Sequence, residues 1–561
     1  MLKTENREER GFSRMTMKIF EPKLILSLKQ YSGKQLAADL IAGVIVAIIA
    51  LPLSIALAIA SGVSPEKGLY TAIVAGFVIA LFGGSRVNIS GPTAAFATIV
   101  AGIVASYGIG GLAHATVMAG ILLILMGLLR FGSLIKYIPL TITTGFTSGI
   151  ALTIVIGQIK DFLGLTFAPG THAVETVEKI EAIVASITTF NWQALVVGLV
   201  SLTVLILFPR ITKKIPASLV AVVVGVLMVK LLPLEVNTIG DLYTITNTPP
   251  TFALPNFSMD AIIELFPSAV TIAVLAAIES LLSCVVSDGM IGDRHNSNTE
   301  LIAQGLGNVA SGLLGGIPAT GAIARTAANV NNGGRSPISG MVHAVVLFLI
   351  LVLLMPFAAW IPMPTIAAVL FIVAYNMCEW RRFVSICKKA PASDILVLVL
   401  TFLLTVIFDL VVAIEVGLIV TAFLFMKRMA DAAHLREWKR NEGDTREKPI
   451  PPQTVVYEMD GPMFFAATDR FADIHTNGEV RTVILRMRSV PSLDISALRA
   501  LEGAWETLRT EGVTVIFSHV GEGPLAVMRH AGFVERVGEE CFVENIDEAL
   551  AIAEKNAAET T

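Results

Sequence analysis

Two charged residues fall inside apolar stretches and are the natural candidates for chemistry. Glu279 sits in the middle of VLAAIESLLSCVVSDGM (274–290), and Arg325 lies in GGIPATGAIARTAANV (315–330), a stretch broken by Gly315, Gly316, Pro318 and Gly321. A lone ion at membrane depth costs about 3 kcal/mol or more, so such groups mark transport pathways or coupling sites. Burial in apolar surroundings would favour the protonated form of Glu279 and make it a proton carrier. A neighbouring Arg325 would instead give a structural ion pair, and both readings stay open. Ser283 lies one turn beyond Glu279 on the same helix face and could add an oxygen. Asp288 and Asp293 fall near the end of the run and read as solvated or capping groups.

A second broken stretch, NISGPTAAF (88–96), precedes another apolar run. A half-helix starting inside the bilayer presents unsatisfied N–H groups and the positive end of its dipole. Two such ends facing one another favour an anion. Thr93 can place a hydroxyl beside those amides, and Ala94, Ala95, Ala322 and Ala324 leave room for backbone to approach a ligand. Arg325 adds a permanent cation whose donor fork suits an oxyanion. The competing reading is tight helix packing by small residues.

These residues need a membrane frame, and the composition supplies one. The 561 residues are 54% hydrophobic and 15% charged, with a mean hydropathy of +0.73. Soluble domains carry about 25% charged residues, so most of this chain belongs in lipid. The net charge of −4 gives no sign of nucleic-acid binding, and four scattered cysteines form no CxxC or zinc pattern. No metal, cofactor or nucleophile–base cluster is expected, which argues against an enzyme.

Residues 1–36 are polar and charged without a signal-peptide core, predicting a retained cytoplasmic N-terminus. Residues 37–429 then carry roughly fourteen apolar segments at about 20 residues per span. They include 39–60, 69–81, a short 88–104, 133–158, 260–286 and a short 321–330. Lys and Arg residues from Arg86 to Arg428, including Lys136, Lys213 and Lys214, gather in loops on one side. The other side holds Lys67, Lys160, Lys179 and Lys230, which places both termini in the cytoplasm. ALFGGSRVNISGPTAA (80–95) and GLLGGIPATGAIA (312–324) repeat a Gly-Gly pair and a broken segment, seven spans apart. An odd separation inverts the second half, and paired broken helices in inverted halves point to a midplane site. Residues 430–452 read as a polar linker. Residues 453–556 alternate strand-like and helical runs as a soluble α/β unit, a common domain size.

These stretches together resemble the SulP family of anion transporters. The resemblance rests on DLIAGVIVAIIALPLSIALAIASGVSPEKGLYTA, GGSRVNISGPTAA, AAIESLL and ARTAANV, and covers nearly the whole chain. The tail, with GPMFFA and LDISAL (493–498), is similar to that family's cytoplasmic STAS domain. SGPTAAF, YIPLTITTGFTSGI, QIKDFLGL and IESLLSCVVSDGM are most similar to bacterial C4-dicarboxylate carriers of the succinate/proton type.

The resemblance implies an α-helical membrane protein of fourteen spans in a 7+7 inverted repeat, with core and gate domains, plus the STAS domain. It also implies elevator-like alternating access, a homodimer and a bacterial inner-membrane location. Leu53 and Leu57 match pocket-lining positions, Thr93 and Ala94 the third-span anion contacts, and Ala322, Ile323, Ala324 and Arg325 those of the tenth span. Glu279 and Ser283 match an acidic site that binds sodium in bicarbonate members, where the acid is Asp, a Thr follows one turn on, and no Arg stands in the tenth span. Here Arg325 would repel sodium, so protons are the expected coupling ion. Leu53 departs from members with a polar Gln there, so the anion cannot be copied from them. Ser496 matches a serine phosphorylated in related anti-sigma-factor antagonists, its alternative role being a helix cap. No glycine loop for a nucleotide is present, and the cytoplasmic partner of the STAS domain is not readable.

The leading expectation is a proton-coupled carrier of C4-dicarboxylates such as succinate. The alternatives are a sulfate or bicarbonate transporter coupled to protons or sodium, a passive anion channel, and a membrane-anchored STAS sensor.

Overall fold

The computed structural model describes residues 20–29, 31–133, 139–168, 173, 175–212, 215–232, 234–254, 258–408, 410–438, 449–474 and 479–558. Lys136, Lys213 and Lys214, counted above for orientation, lie outside the described residues, as do most of segment 1–36 and residues 439–448 of the expected linker.

The membrane unit begins with a short helix, α1 (Lys23–Leu28), and then α2 (Gly33–Ala60) and α3 (Pro65–Phe82). Strand β1 (Ser90–Gly91) and a 3-10 turn at Ala94–Phe96 lead into α4 (Ala97–Leu128). Gly108 leaves the helical region at φ 67° and divides α4 into two helices, between the expected apolar segments. Next come α5 (Leu140–Leu163), α6 (Thr176–Ala185), α7 (Trp192–Ile211) and α8 (Ala217–Leu231). The second half holds α9 (Met259–Ile291), α10 (Ser297–Leu313), β2 (Thr320–Gly321), α11 (Ile323–Asn331), α12 (Ile338–Leu354), α13 (Met363–Cys378), α14 (Trp380–Lys389), α15 (Ala392–Ile407) and α16 (Leu410–Asp431). Among the described residues eight helices are long and apolar enough to cross a membrane, with α8 and α15 as shorter apolar ones. The segment expected from residue 133 has its helix from Leu140 instead, running to Leu163. The basic stretch read as a loop around Arg381, Arg382, Lys388 and Lys389 is helix α14, with Trp380 at its start.

The two halves interlock reciprocally. Helix α4 of the first half packs on α9 and α10 of the second, while α12 of the second packs on α2 and α3 of the first. Glycines permit the closest approach: a Cβ at Gly120 of α4 would clash with the Gly305 carbonyl of α10, and a Cβ at Gly305 would clash with that of Gly120. A second group forms around α5, which packs on α13 and α15, and α7, which packs on α8 and α13.

The C-terminal unit is an α/β fold with a five-stranded sheet in the order β3-β4-β5-β6-β7. Its elements are β3 (His434–Glu437), β4 (Thr454–Asp460), β5 (Thr482–Ser489), α17 (Ile495–Thr510), β6 (Thr514–Ser518), α18 (Glu522–His530), α19 (Phe533–Val537), β7 (Phe542–Val543) and α20 (Ile546–Ala558). Strands β4 to β7 are parallel and β3 is antiparallel. Residues two apart along a strand share a face. Accordingly Leu485, Met487 and Phe517 pack with Leu498, Leu501, Trp505 and Phe533, while Ile484 and Ile516 pack with Ala549, Leu550 and Ala553.

Three expectations for this unit are corrected. His434–Glu437, placed in the linker, forms the antiparallel edge strand β3, because pairing to β4 replaces the hydrophobic pattern that HLRE lacks. FFAAT, read as strand-like, belongs to a 3-10 stretch at Phe465–Asp473. The cap of α17 is Asp494, whose side chain accepts from the Ala497 amide at 2.8 Å and the Phe465 amide at 3.0 Å. Ser496 stands inside the first turn with its side chain exposed. Asp494→Ala should therefore cost about 1 kcal/mol, read as faster amide hydrogen exchange at Ala497 and Phe465, whereas Ser496→Ala should leave both amides protected.

Candidate functional site

The two broken segments meet. Strands β1 and β2 are antiparallel, with Ser90 opposite Gly321 and Gly91 opposite Thr320, and the Ala322 amide donates to the Ile89 carbonyl at 2.8 Å. Segments more than 200 residues apart in sequence thus turn away from one junction into two helix starts, at Ala94 and Ile323.

Those starts lack caps. Helices α2, α7, α9 and α10 begin with Ser or Asn side chains that accept backbone amides, and α5, α8, α12, α13 and α15 begin behind prolines. Thr93 and Ala322 make no side-chain cap bond. Thr93 and Ala322 are half-buried, and Ile323 and Ala324 are exposed. Ala94 is buried at 6% exposure and Ala95 fully, so Ala95 serves the packing. Leu53 is half-buried and Leu57, one turn on, is buried, both on α2.

The two charges are not paired with each other. The Thr93 hydroxyl donates to Glu279 Oε2 at 3.0 Å, and Arg325 Nη2 donates to the Pro92 carbonyl. They attach to consecutive residues of one segment, so of the two readings left open by the sequence the direct ion pair is replaced by a linkage through Pro92 and Thr93. Nor does the guanidinium fork face the open end. Arg325 is 1% exposed, with Nε and Nη1 buried and without partners, and it lies so close to Gly91 that a Cβ there would overlap Nη1. Its charge reaches the site through space. Glu279 itself is half-buried. Ser283 is fully buried; its hydroxyl donates to Asn88 Oδ1 at 2.8 Å and lies 3.2 Å from Thr326 Oγ1. It braces the junction instead of offering an oxygen beside Glu279.

A polar scaffold missed at the level of sequence holds this junction. Glu300 of α10 is fully buried. Its Oε2 accepts from the Gly84 and Ser85 amides at 2.9 and 3.2 Å, and its Oε1 from Asn88 Nδ2 at 2.8 Å and Gln304 Nε2 at 2.9 Å. Gln304 also donates to Ser90 Oγ at 2.9 Å. Asn308 clamps the Ala319 backbone at both ends, at 2.9 and 2.8 Å. Asn329 donates to the Val87 carbonyl at 3.0 Å, and Thr326 to Asn88 Oδ1 at 3.1 Å. A signal existed: Glu300, Gln304 and Asn308 recur every four residues, a polar stripe on one face of a helix at membrane depth. On the α1 side, Asp293 joins Lys23 at 3.2 Å and Arg86 at 2.9 Å, and Asp288 pairs with His295 at 2.7 Å. Among the described residues no group of three His, Cys, Asp or Glu could hold a metal.

The fold is that of a multi-pass helical membrane protein in which two broken segments pair and their helix starts lack side-chain caps. The chain belongs to the sulfate permease (SulP) family: that family's model matches residues 36–401, and the STAS domain model matches 445–549. It is 37% identical to "Putative sulfate transporter YvdB" of Bacillus subtilis (strain 168), over 93% of this chain and 98% of the relative. It is 32% identical to the bicarbonate transporter BicA of Picosynechococcus sp., over 84% of this chain and 87% of the relative. Its fold matches the murine Solute Carrier 26 family member A9 anion transporter in the inward-facing state. The TM-score is 0.86 at 18% identity, over 97% of this chain and 95% of the other. The protein is thus a multi-pass anion transporter of the bacterial inner membrane with a cytoplasmic STAS domain.

Proposed function

We propose that this transporter is a secondary active carrier that takes up a small oxyanion together with a proton. The observation that supports the reading is the β1–β2 junction, from which two uncapped helix starts run, with Glu279 hydrogen-bonded to Thr93 at one of them. Helix N-termini attract anions through their free amides and dipoles, and the buried Arg325 adds positive potential without needing contact.

Glu279 is the coupling group in this reading. Its hydrogen bond is to a neutral hydroxyl, so it can gain and lose a proton without breaking an ion pair. Anion and proton would load together, because a protonated Glu279 no longer repels the anion. Sodium is disfavoured by the positive field of Arg325. The elevator-like step would move the α2–α4 and α9–α12 group against the group around α5, α7 and α13, and a homodimer would hold the latter in place.

C4-dicarboxylates such as succinate are the first substrates proposed, on the motif resemblance. Sulfate or bicarbonate is the second reading, favoured by the names of the relatives. Uptake of labelled succinate, sulfate and bicarbonate into proteoliposomes, with and without an inward proton gradient, decides among them. Glu279→Gln should remove gradient stimulation, leaving uptake about 100-fold lower, the low end of what a positioned proton-transfer group contributes. Full stimulation in that variant refutes the coupling role, and a large single-channel current would replace the carrier with a channel.

A further inference from the structure

Behind the β1–β2 junction two buried polar side chains have hydrogen-bonding capacity that none of the described residues fills. His343 on α12 is fully buried, and neither ring nitrogen has a partner. Arg325, at 1% exposure, leaves Nε and Nη1 unpartnered. Buried groups of this kind are normally completed by ordered water.

Their surroundings place them on one face of α3. A Cβ at Gly76 would lie 3.2 Å from the Ser90 carbonyl and 3.9 Å from His343 Nδ1. A Cβ at Gly91, the next residue of β1, would overlap Arg325 Nη1 and sit 3.4 Å from Ala72 Cα. Ala72 and Gly76 are four residues apart, about 6 Å along a helix. One water making two hydrogen bonds bridges roughly 5.5 Å. Residues 72–76 of α3 are all apolar and offer the imidazole and the guanidinium no polar side-chain partner.

We propose that a buried water bridges Arg325 and His343, and that His343 is the positioning residue for the guanidinium. A guanidinium only donates, whereas a neutral imidazole can accept. The water therefore accepts from Arg325 and donates to His343. Together with the Pro92 carbonyl, this fixes the plane and depth of the cation behind the open helix ends. The functional consequence rests on the anion-site reading above, but the water itself does not.

Two arms test this on the full-length protein. A cryo-EM map in lipid nanodiscs that resolves ordered waters should show density within hydrogen-bond distance of both Arg325 and a His343 ring nitrogen. An empty gap in a map that resolves other buried waters overturns the proposal. In proteoliposomes, His343→Leu should raise KM for the anion taken up by about tenfold with little change in maximal rate, whereas His343→Gln, which keeps an acceptor, should stay within about threefold. Unchanged KM in the leucine variant, or a tenfold rise in the glutamine variant, overturns the positioning role. Should the leucine variant fail to fold, the glutamine variant and the map still decide. If none of sulfate, bicarbonate and succinate is taken up, the transport reading fails while the map still judges the water.

Discussion

Arg325→Ala is expected to lower anion uptake by on the order of 100-fold, about 3 kcal/mol, the scale of a unit charge acting through space within a partly desolvated site. The change removes two things at once. It removes the positive potential behind the two helix starts, and it releases the Pro92 carbonyl that the guanidinium holds. Arg325→Lys separates them. It restores the charge but not the planar fork, so it should recover part of the uptake while anion affinity stays weakened. Initial uptake rates per reconstituted monodisperse protein give the answer. A lysine variant no better than alanine would assign the loss to the Pro92 contact alone.

The second large effect is one of stability. Glu300→Ala should destabilise the membrane unit by on the order of 3–5 kcal/mol, because four buried donors lose their acceptor together. Those donors are the Gly84 and Ser85 amides, Asn88 and Gln304. Thermal unfolding of the detergent-solubilised protein should show a markedly lower Tm and a poor yield of folded protein. Uptake per folded molecule should fall less than in Arg325→Ala, since Glu300 stands behind the junction and not at the open ends. A wild-type Tm in this variant would remove Glu300 from its place as the hub. The two variants thus separate what binds from what holds the binding segments in register.

The sequence by itself determined the membrane frame, the two broken segments and the soluble tail. Each is written locally: apolar runs of spanning length, the breaks at Gly91-Pro92 and at Pro318 and Gly321, and alternating strand-like runs such as VRTVILRM. The inverted placement of the broken segments followed from their odd separation in spans. Two local exceptions were β3, which has no hydrophobic pattern of its own, and the α17 cap, where Asp494 and Ser496 are both chemically able.

What only the tertiary structure decided is partner choice over long distances. Thr93 and Glu279 are 186 residues apart, and Gly84 and Glu300 are 216 apart. Glu279 could stand as a lone proton carrier or pair with Arg325, and composition cannot rank the two. The ranking came from rotation about helix axes. Arg325 falls in the first turn of α11 on the side facing Gly91 and Ala72, so its fork meets the Pro92 carbonyl before it can reach Glu279. Buried polar groups bond whatever acceptor the packing brings near, and packing is a property of the assembled helices.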